Sequence, residues 1–388
     1  MRAFTFLHRS APTARRPRLG LETLEARDVP ATQLYATGAG AGTPPQVVVR
    51  DATNTVVAQF MAFDPRFTGG VHVATGDVNG DGVTDVIVGA GPGGGPHVKV
   101  FDGAALLTGQ PVELFSFFAY DAAFQGGVFV AGGDVNGDHH ADIITGAGPG
   151  GGPHVKAISG ADGSELMSFF AYAADVPFGV SVAADDMGGD NGGTPGGIGT
   201  AEIVTGAGPG GGPHVKVFDY EPTFAASHAL TLASFYAFEE SFRGGVNVAT
   251  GFTTDNRDSS NFRYADIIAG RGPGGLPEVR VFRLLDAPNL PNGLPEFFYN
   301  QAASFLAYAP NVPFGVHVGS RFRPGQATDD IITGAGFGGQ SHVRIWSGQV
   351  IGDLQSFVPT LNSEFMAYSP DFLGGVFVGG GQKLHATD

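Results

Sequence analysis

The nine residues DVNGDGVTD, 77–85, set Asp77, Asn79, Asp81 and Asp85 at positions one, three, five and nine of a tight turn. Calcium takes about six to eight oxygen ligands, and a turn with acidic or amide side chains at alternate positions, a backbone carbonyl at seven and a closing acid supplies them. Val83 would give the carbonyl, and Gly82 at position six permits the sharp bend. A second copy, DVNGDHHAD, places Asp134, Asn136, Asp138 and Asp142 in the same order, with the His140 carbonyl at seven and His139 where the first loop has glycine. Two calcium sites are expected. The competing reading is a pair of hairpins rich in Asp and Asn turns that need no metal. A third stretch, DDMGGDNGGTPGGIGTAE, breaks the spacing by an insertion but offers Asp186 and Asp190. The corresponding segments TTDNRDSSNFRYAD and SRFRPGQATDD lack the pattern.

A second pattern that could do chemistry is GAGPGGGPHVKVFDG, 89–103, in which Gly89, Gly91 and Gly94 have the spacing of a dinucleotide-binding turn. That turn needs a helix after the glycines, because the helix N-terminus holds the pyrophosphate. Here Gly93-Gly94-Gly95-Pro96 cannot begin a stable helix, and HVKVF alternates as a strand does. The stretch also recurs at Gly146 and Gly206, as a structural repeat does and a cofactor site need not. The glycines therefore join two strands, and no nucleotide is expected.

Six equivalent positions follow these loops: Gln46, His97, His154, His214, Glu278 and His342. Two residues further on stand Val48, Lys99, Lys156, Lys216, Arg280 and Arg344, on the same side of their strands. The pairs His97 with Lys99, His154 with Lys156, His214 with Lys216 and His342 with Arg344 could form a ligand-binding ring for carboxylated or sulfated glycans. Alternatively, each cation lays its stem along the neighbouring sheet and the histidine caps the turn.

These residues sit on a repeat. Aligned glycines at 38, 89, 146, 206, 270 and 334 are separated by 51 to 64 residues, and each complete unit holds four strand candidates. In the first they are GGVHVATG (A), DVIVGAG (B), HVKVFDG (C) and VELFSFFAY (D). The fourth ends in F-x-A-Y or F-x-A-F six times, at Phe63, Tyr120, Tyr172, Phe238, Tyr308 and Tyr368. Another phenylalanine follows shortly after each, suited to wedge between neighbouring sheets. Residues 34–63 carry B, C and D without A, while the chain finishes on a lone A, Gly374–Gly381. Together they complete one blade. The expected fold is all-β, a six-bladed β-propeller of four-stranded antiparallel blades closed by the two ends of the chain, with seven blades as the alternative.

The units F-x-G-G-V, D-x-N-G-D-G-x-x-D and G-A-G-P resemble the FG-GAP repeat of integrin α-subunit propellers and related bacterial surface proteins, over roughly residues 34–381. The resemblance implies calcium and an extracellular setting. The extension G-P-G-G-G-P-H is longer than the usual ending, which weakens any likeness in the ligand-binding face. At the N-terminus, LETLEARDVPA (21–31) resembles the L-E-x-L-E-x-R-x-x-P-A motif of exported planctomycete proteins, implying an extracellular or envelope destination. Residues 1–32 are thus expected to be a basic, disordered export arm, and 33–388 the propeller.

Bulk properties bound the remaining possibilities. The 388 residues carry a net charge of −16, and residues 1–30 hold six arginines against three acids, leaving −19 on the rest. Nucleic acid is not an expected partner of such a body, since binding it requires neutralising phosphates. No cysteine is present, which removes disulfides, thiol catalysis and Cys-zinc sites. No apolar run reaches the length of a membrane helix. No G-x-S-x-G, H-E-x-x-H or P-loop motif occurs. The reading is a monomeric, non-enzymatic surface propeller for adhesion to or recognition of protein or polysaccharide. The alternative is a polysaccharide-active hydrolase or lyase whose acids and histidines converge from different blades, with His72 and His317 as candidates.

Overall fold

A computed structural model describes residues 33–187, 200–223, 227–254, 264–285, 298–323, 325–351 and 356–380. The chain divides into two units, Met1–Pro30 and Ala31–Asp388, and every described residue belongs to the second. The export motif, and Asp190 of the third loop, lie outside the described residues.

The second unit is six antiparallel sheets of four strands, each ordered A-B-C-D. The A strands are Val71–Gly76, Val128–Gly133, Val180–Asp185, Val246–Gly251 and Val316–Arg321 in blades one to five, and Val376–Gly379 in the closing blade. The B strands are Asp85–Ala90, Asp142–Ala147, Glu202–Ala207, Asp266–Arg271, Asp330–Ala335 and Leu34–Ala39. The closing blade joins the two ends of the chain, with Thr37 opposite Val378.

Burial explains the composition of each strand. The B strands of blades one to three are buried at all six positions, and their Val/Ile-rich sequences are what a strand covered on both faces requires. The C strands, such as His97–Phe101 and His154–Ile158, alternate between buried and half-buried residues. The D strands, such as Glu113–Phe118 and Glu165–Phe170, form the outer edge. In all six blades the C–D pairing slips at one equivalent place, between Val100 and Phe101 in blade one. Two residues on C there face three on D, which brings Glu113 alongside Lys99.

The repeated glycine of strand B has a packing role. A Cβ on Gly89 would lie 2.4 Å from the Val128 carbonyl oxygen of the next blade, and one on Gly38 would lie 2.1 Å from that of Val71. Neighbouring sheets approach too closely for any side chain at this position. The glycines at 89, 146 and 206 thus serve sheet packing, in agreement with the strand–loop–strand reading.

Candidate functional sites

The antiparallel meander puts the A–B loops on one face and the glycine-rich B–C loops on the other. On the A–B face, the first loop gathers its polar side chains inward. The Asp81 backbone N–H donates to both Asp77 Oδ1 and Asn79 Oδ1 at 3.0 Å, Gly82 N–H to Asp77 Oδ2 at 2.9 Å, and Val83 N–H to Asp81 Oδ1 at 2.8 Å. Gly82 takes φ +82°, the left-handed conformation expected of position six. Burial, and then the facing charge of Asp81, push the Asp77 carboxyl above its usual range, while the loop N–H groups pull it back.

The second loop reproduces the arrangement. Asp134 accepts from Gly137, Asp138 and His139, Asn136 Oδ1 from Asp138, and Asp138 Oδ1 from His140. His139 adopts φ +69°, so the position keeps its left-handed backbone without glycine. The His140 ring lies against Gly80 of the first loop, with Nδ1 3.0 Å from the Val78 carbonyl oxygen. The two loops are also joined by Ala141 N–H donating to the Asp77 carbonyl at 2.8 Å. Equivalent inter-blade bonds run from Ala201 to Asp134, Ala265 to Asp186 and Asp329 to Phe252.

Asp85 and Asp142 have a role that the calcium pattern did not reveal. Asp85 is wholly buried; its Oδ2 accepts from Val78 and Asn79 N–H at 2.9 and 3.2 Å, and Oδ1 from Gly103 N–H at 2.8 Å. Asp142 binds Val135 and Gly160 in the same way. Burial pushes both carboxyls up to about 7 against the pull of these N–H groups. The same position is acidic in blades three, four and five, as Glu202, Asp266 and Asp330, where the rest of the calcium pattern is broken by an insertion or lost. Glu202 accepts from Met187 N–H, Asp266 from Thr253 and Thr254, and Asp330 pairs with Arg321. The closing blade has Leu34 instead, and there A and B come from opposite chain ends with no A–B loop to hold. The acid's first task is therefore to clamp the A–B loop to the blade.

The donor chemistry of each loop fits a hard cation through Asp77, Asn79, Asp81 and the Val83 carbonyl, and through Asp134, Asn136, Asp138 and the His140 carbonyl. Asp85 and Asp142 are already committed to backbone N–H groups. Among the described residues no three His, Cys, Asp or Glu side chains gather as a metal cluster, and each loop brings two carboxylates and one amide.

On the opposite face, the cations of the expected ring are stacked between blades. Lys99 lies over Phe63 of the preceding blade at 5.9 Å, Lys156 over Tyr120 at 6.0 Å, Lys216 over Tyr172 at 5.3 Å, Arg280 over Phe238 at 4.9 Å and Arg344 over Tyr308 at 5.4 Å. Lys99 and Lys156 pair with Glu113 and Glu165 at 2.7 Å, and Arg344 with Glu364 at 2.9 Å. His97, His154 and His214 each lie between two aromatic rings and meet a serine hydroxyl with Nε2, while His342 meets Glu364. Burial pulls all four imidazoles below the usual histidine range. The cation stems thus lie against the neighbouring blade as the packing alternative has it, with carboxylate partners for Lys99, Lys156 and Arg344.

Around the axis, the second residue of each A strand forms a ring: His72, Phe129, Ser181, Asn247, His317 and Phe377. It lines a cavity of about 90 Å³. His72 stacks on Phe129 and meets Phe377 edge-on, and His317 stacks on Phe377. Each histidine places Nδ1 2.7–2.8 Å from the carbonyl of the next blade, Val128 or Val376, and Ser181 Oγ and Asn247 Nδ2 donate to the Val246 and Val316 carbonyls at 2.9 and 2.8 Å. The paired histidines thus act as blade-to-blade ties of the same kind as Ser181 and Asn247.

Fold and repeat together define a six-bladed β-propeller built from a duplicated four-stranded unit. The FG-GAP repeat family matches residues 69–107, so the chain carries an FG-GAP repeat, spanning strands A to C of blade one. No curated protein matches the sequence. Similar solved structures include an Agrocybe aegerita lectin that recognises non-reducing terminal N-acetylglucosamine, at 14% identity and TM-score 0.42, covering 92% of this chain and 96% of the lectin. The Dos1 propeller is 14% identical with TM-score 0.40, over 90% of this chain and 76% of its own. The rhamnogalacturonan lyase YesW is 11% identical with TM-score 0.36, over 86% and 78% respectively. Among the described residues no helix is long and apolar enough to cross a membrane.

Proposed function

We propose that this protein is a calcium-binding recognition propeller of the cell surface or extracellular space, holding a protein or polysaccharide ligand without transforming it. The observation that carries the reading is the convergence of Asp77 Oδ1 and Asn79 Oδ1 on one backbone N–H at 3.0 Å, beside Asp81, on a turn repeated in the next blade. A cation there would offset the repulsion of Asp77 and Asp81 and stiffen the loop; its role is structural, with affinity on the order of 10⁻⁴ to 10⁻³ M suited to an extracellular module. The FG-GAP repeat supports the extracellular setting. For recognition, the glycine-loop face offers Phe118, Phe170 and Tyr236, each about half exposed at the end of a D strand in three successive blades. Exposed aromatic side chains repeated along one rim suit contact with another molecule.

Thermal unfolding in calcium and in EGTA tests the metal. Tm should rise with calcium as linkage requires, and the rise should vanish in the variant carrying Asp77→Ala and Asp81→Ala. An unchanged Tm would leave the loops as metal-free turns.

A further inference from the structure

The cations between the blades are not equivalent. Lys99 and Lys156 have Glu113 and Glu165 as partners, Arg280 has Glu278, and Arg344 has Glu364. In blade three, the strand D position that holds Glu113 and Glu165 elsewhere is Thr231, opposite Phe218 as Glu113 is opposite Phe101. Among the described residues the Lys216 ammonium makes no ion pair and no hydrogen bond; its contact is the face of Tyr172.

A second departure falls at the same junction. In four of the six links between blades, a phenylalanine stands four residues after the last aromatic of F-x-A-Y/F: Phe67, Phe124, Phe242 and Phe372. Phe124 packs edge-on to Tyr120 at 6.4 Å. The link into blade three has Val176 at that position and its phenylalanine two residues later, at Phe178. Phe178 packs on Gly210 and Gly211 instead, and a cavity of about 250 Å³ lies against Tyr172, Val176, Phe178, His214 and Lys216. The link into blade five makes the same exchange with Val312 and Phe314. There, however, the Arg344 guanidinium binds Glu364 and the Ala307 carbonyl, so the cation is already occupied.

We propose that the cavity between blades two and three binds a small organic carboxylate with an apolar body, its carboxylate on the Lys216 ammonium and its body against Val176 and Phe178. A half-buried ammonium without a partner carries a desolvation cost that an incoming anion relieves. The other polar side chains of the wall, Tyr172 and His214, already have partners. The Tyr172 hydroxyl donates to the His214 carbonyl at 2.7 Å, and His214 Nε2 meets the Ser234 hydroxyl at 2.8 Å. A body rich in hydroxyls would therefore find few partners, whereas an aryl or branched aliphatic body meets walls of its own kind. The site lies on the face opposite the Asp77 and Asp134 loops and does not depend on calcium.

Calorimetric titration of the full chain tests this, with benzoate as the probe and glucuronate and sulfate as comparators. Benzoate should bind, more weakly as salt rises, and glucuronate and sulfate at least tenfold more weakly. Lys216→Gln should weaken benzoate at least tenfold. Thr231→Glu should do the same by installing the partner that Lys156 has, at an exposed strand position where the fold accepts glutamate. Val176→Phe should close the cavity. No benzoate binding by the wild type, binding unchanged in Thr231→Glu and Val176→Phe, or glucuronate or sulfate binding as tightly as benzoate would each overturn the proposal.

Discussion

The Tyr120 hydroxyl at the end of blade one stands 3.1 Å from the Thr145 hydroxyl of blade two and donates to the His154 carbonyl at 2.8 Å. The same pairing recurs as Tyr172 with Thr205, and, closing the ring, Tyr368 donates to the Thr37 and Gln46 carbonyls. At the fourth such junction, Tyr308 donates to the His342 carbonyl and Thr333 faces it. Where the aromatic is Phe63 or Phe238, the strand B residue is Val88 or Ala269. Hydroxyl meets hydroxyl, and apolar meets apolar. Tyr120→Phe should therefore cost about 1 kcal/mol by leaving buried acceptors unmet, while Tyr120→Phe with Thr145→Val, which recreates the Phe63–Val88 junction, should cost less than the sum of the singles. Equilibrium denaturation of the four proteins in this cycle measures the coupling, and strict additivity would refute it.

The strand B acid predicts a separation of roles within one loop. In EGTA, Asp85→Ala leaves the N–H groups of Val78, Asn79 and Gly103 without acceptors and should cost at least about 3 kcal/mol. Asp77→Ala, in a part-exposed turn, should cost about 1 kcal/mol under the same conditions yet abolish the calcium-dependent rise in Tm. If the two variants were equally damaged in EGTA, the clamp would not be the principal task of Asp85.

Much of this architecture is legible in the sequence, because duplication writes each structural need several times. The six F-x-A-Y/F endings and the orphan strands at Leu34 and Val376 announce six blades and how they close. The role of Asp85 is harder to read, since the calcium pattern claims the same residue. The signal lies in the comparison of units: the acid outlives the pattern in Glu202, Asp266 and Asp330, and disappears as Leu34 where no loop exists. The cation ring was legible as a ring but not as a set of pairs, because the slip between Val100 and Phe101 that aligns Glu113 with Lys99 has no signature in either strand alone.

Gly89→Ala tests the close approach of the sheets. The added methyl would meet the Val128 carbonyl, a backbone atom that cannot rotate away, so blades one and two must separate along their length. The expected cost is at least about 2 kcal/mol, more than for Gly93→Ala in the adjoining loop, where no atom lies within 4 Å of the added carbon and only its positive φ is strained. A chemical denaturation midpoint for each variant decides the order, and Gly93→Ala proving the more damaging would contradict the packing role.

The axial histidines make the propeller acid-sensitive in a defined direction. Burial lowers the His72 and His317 imidazoles to about 4, from 6.5 in an unfolded chain, so both are held neutral in the fold. The unfolded chain takes up protons first as pH falls. The stability contributed by neutral burial is thus fully present above pH 6.5 and is lost as pH drops toward 4, on the order of 3 kcal/mol for each imidazole. Asp85 and Asp142, pushed up to about 7, work oppositely over much of this window, because their protonation favours the fold; the wild-type profile alone would mix the two effects. Asn247 shows how to separate them, since its amide donates to the next blade's Val316 carbonyl without titrating. His72→Asn should therefore keep the blade-to-blade bond, and the two acids contribute equally to both proteins. Urea denaturation of wild type and variant between pH 7 and 4 should show the wild type losing ground progressively below pH 6.5. Parallel curves would mean that His72 is not held neutral by the fold.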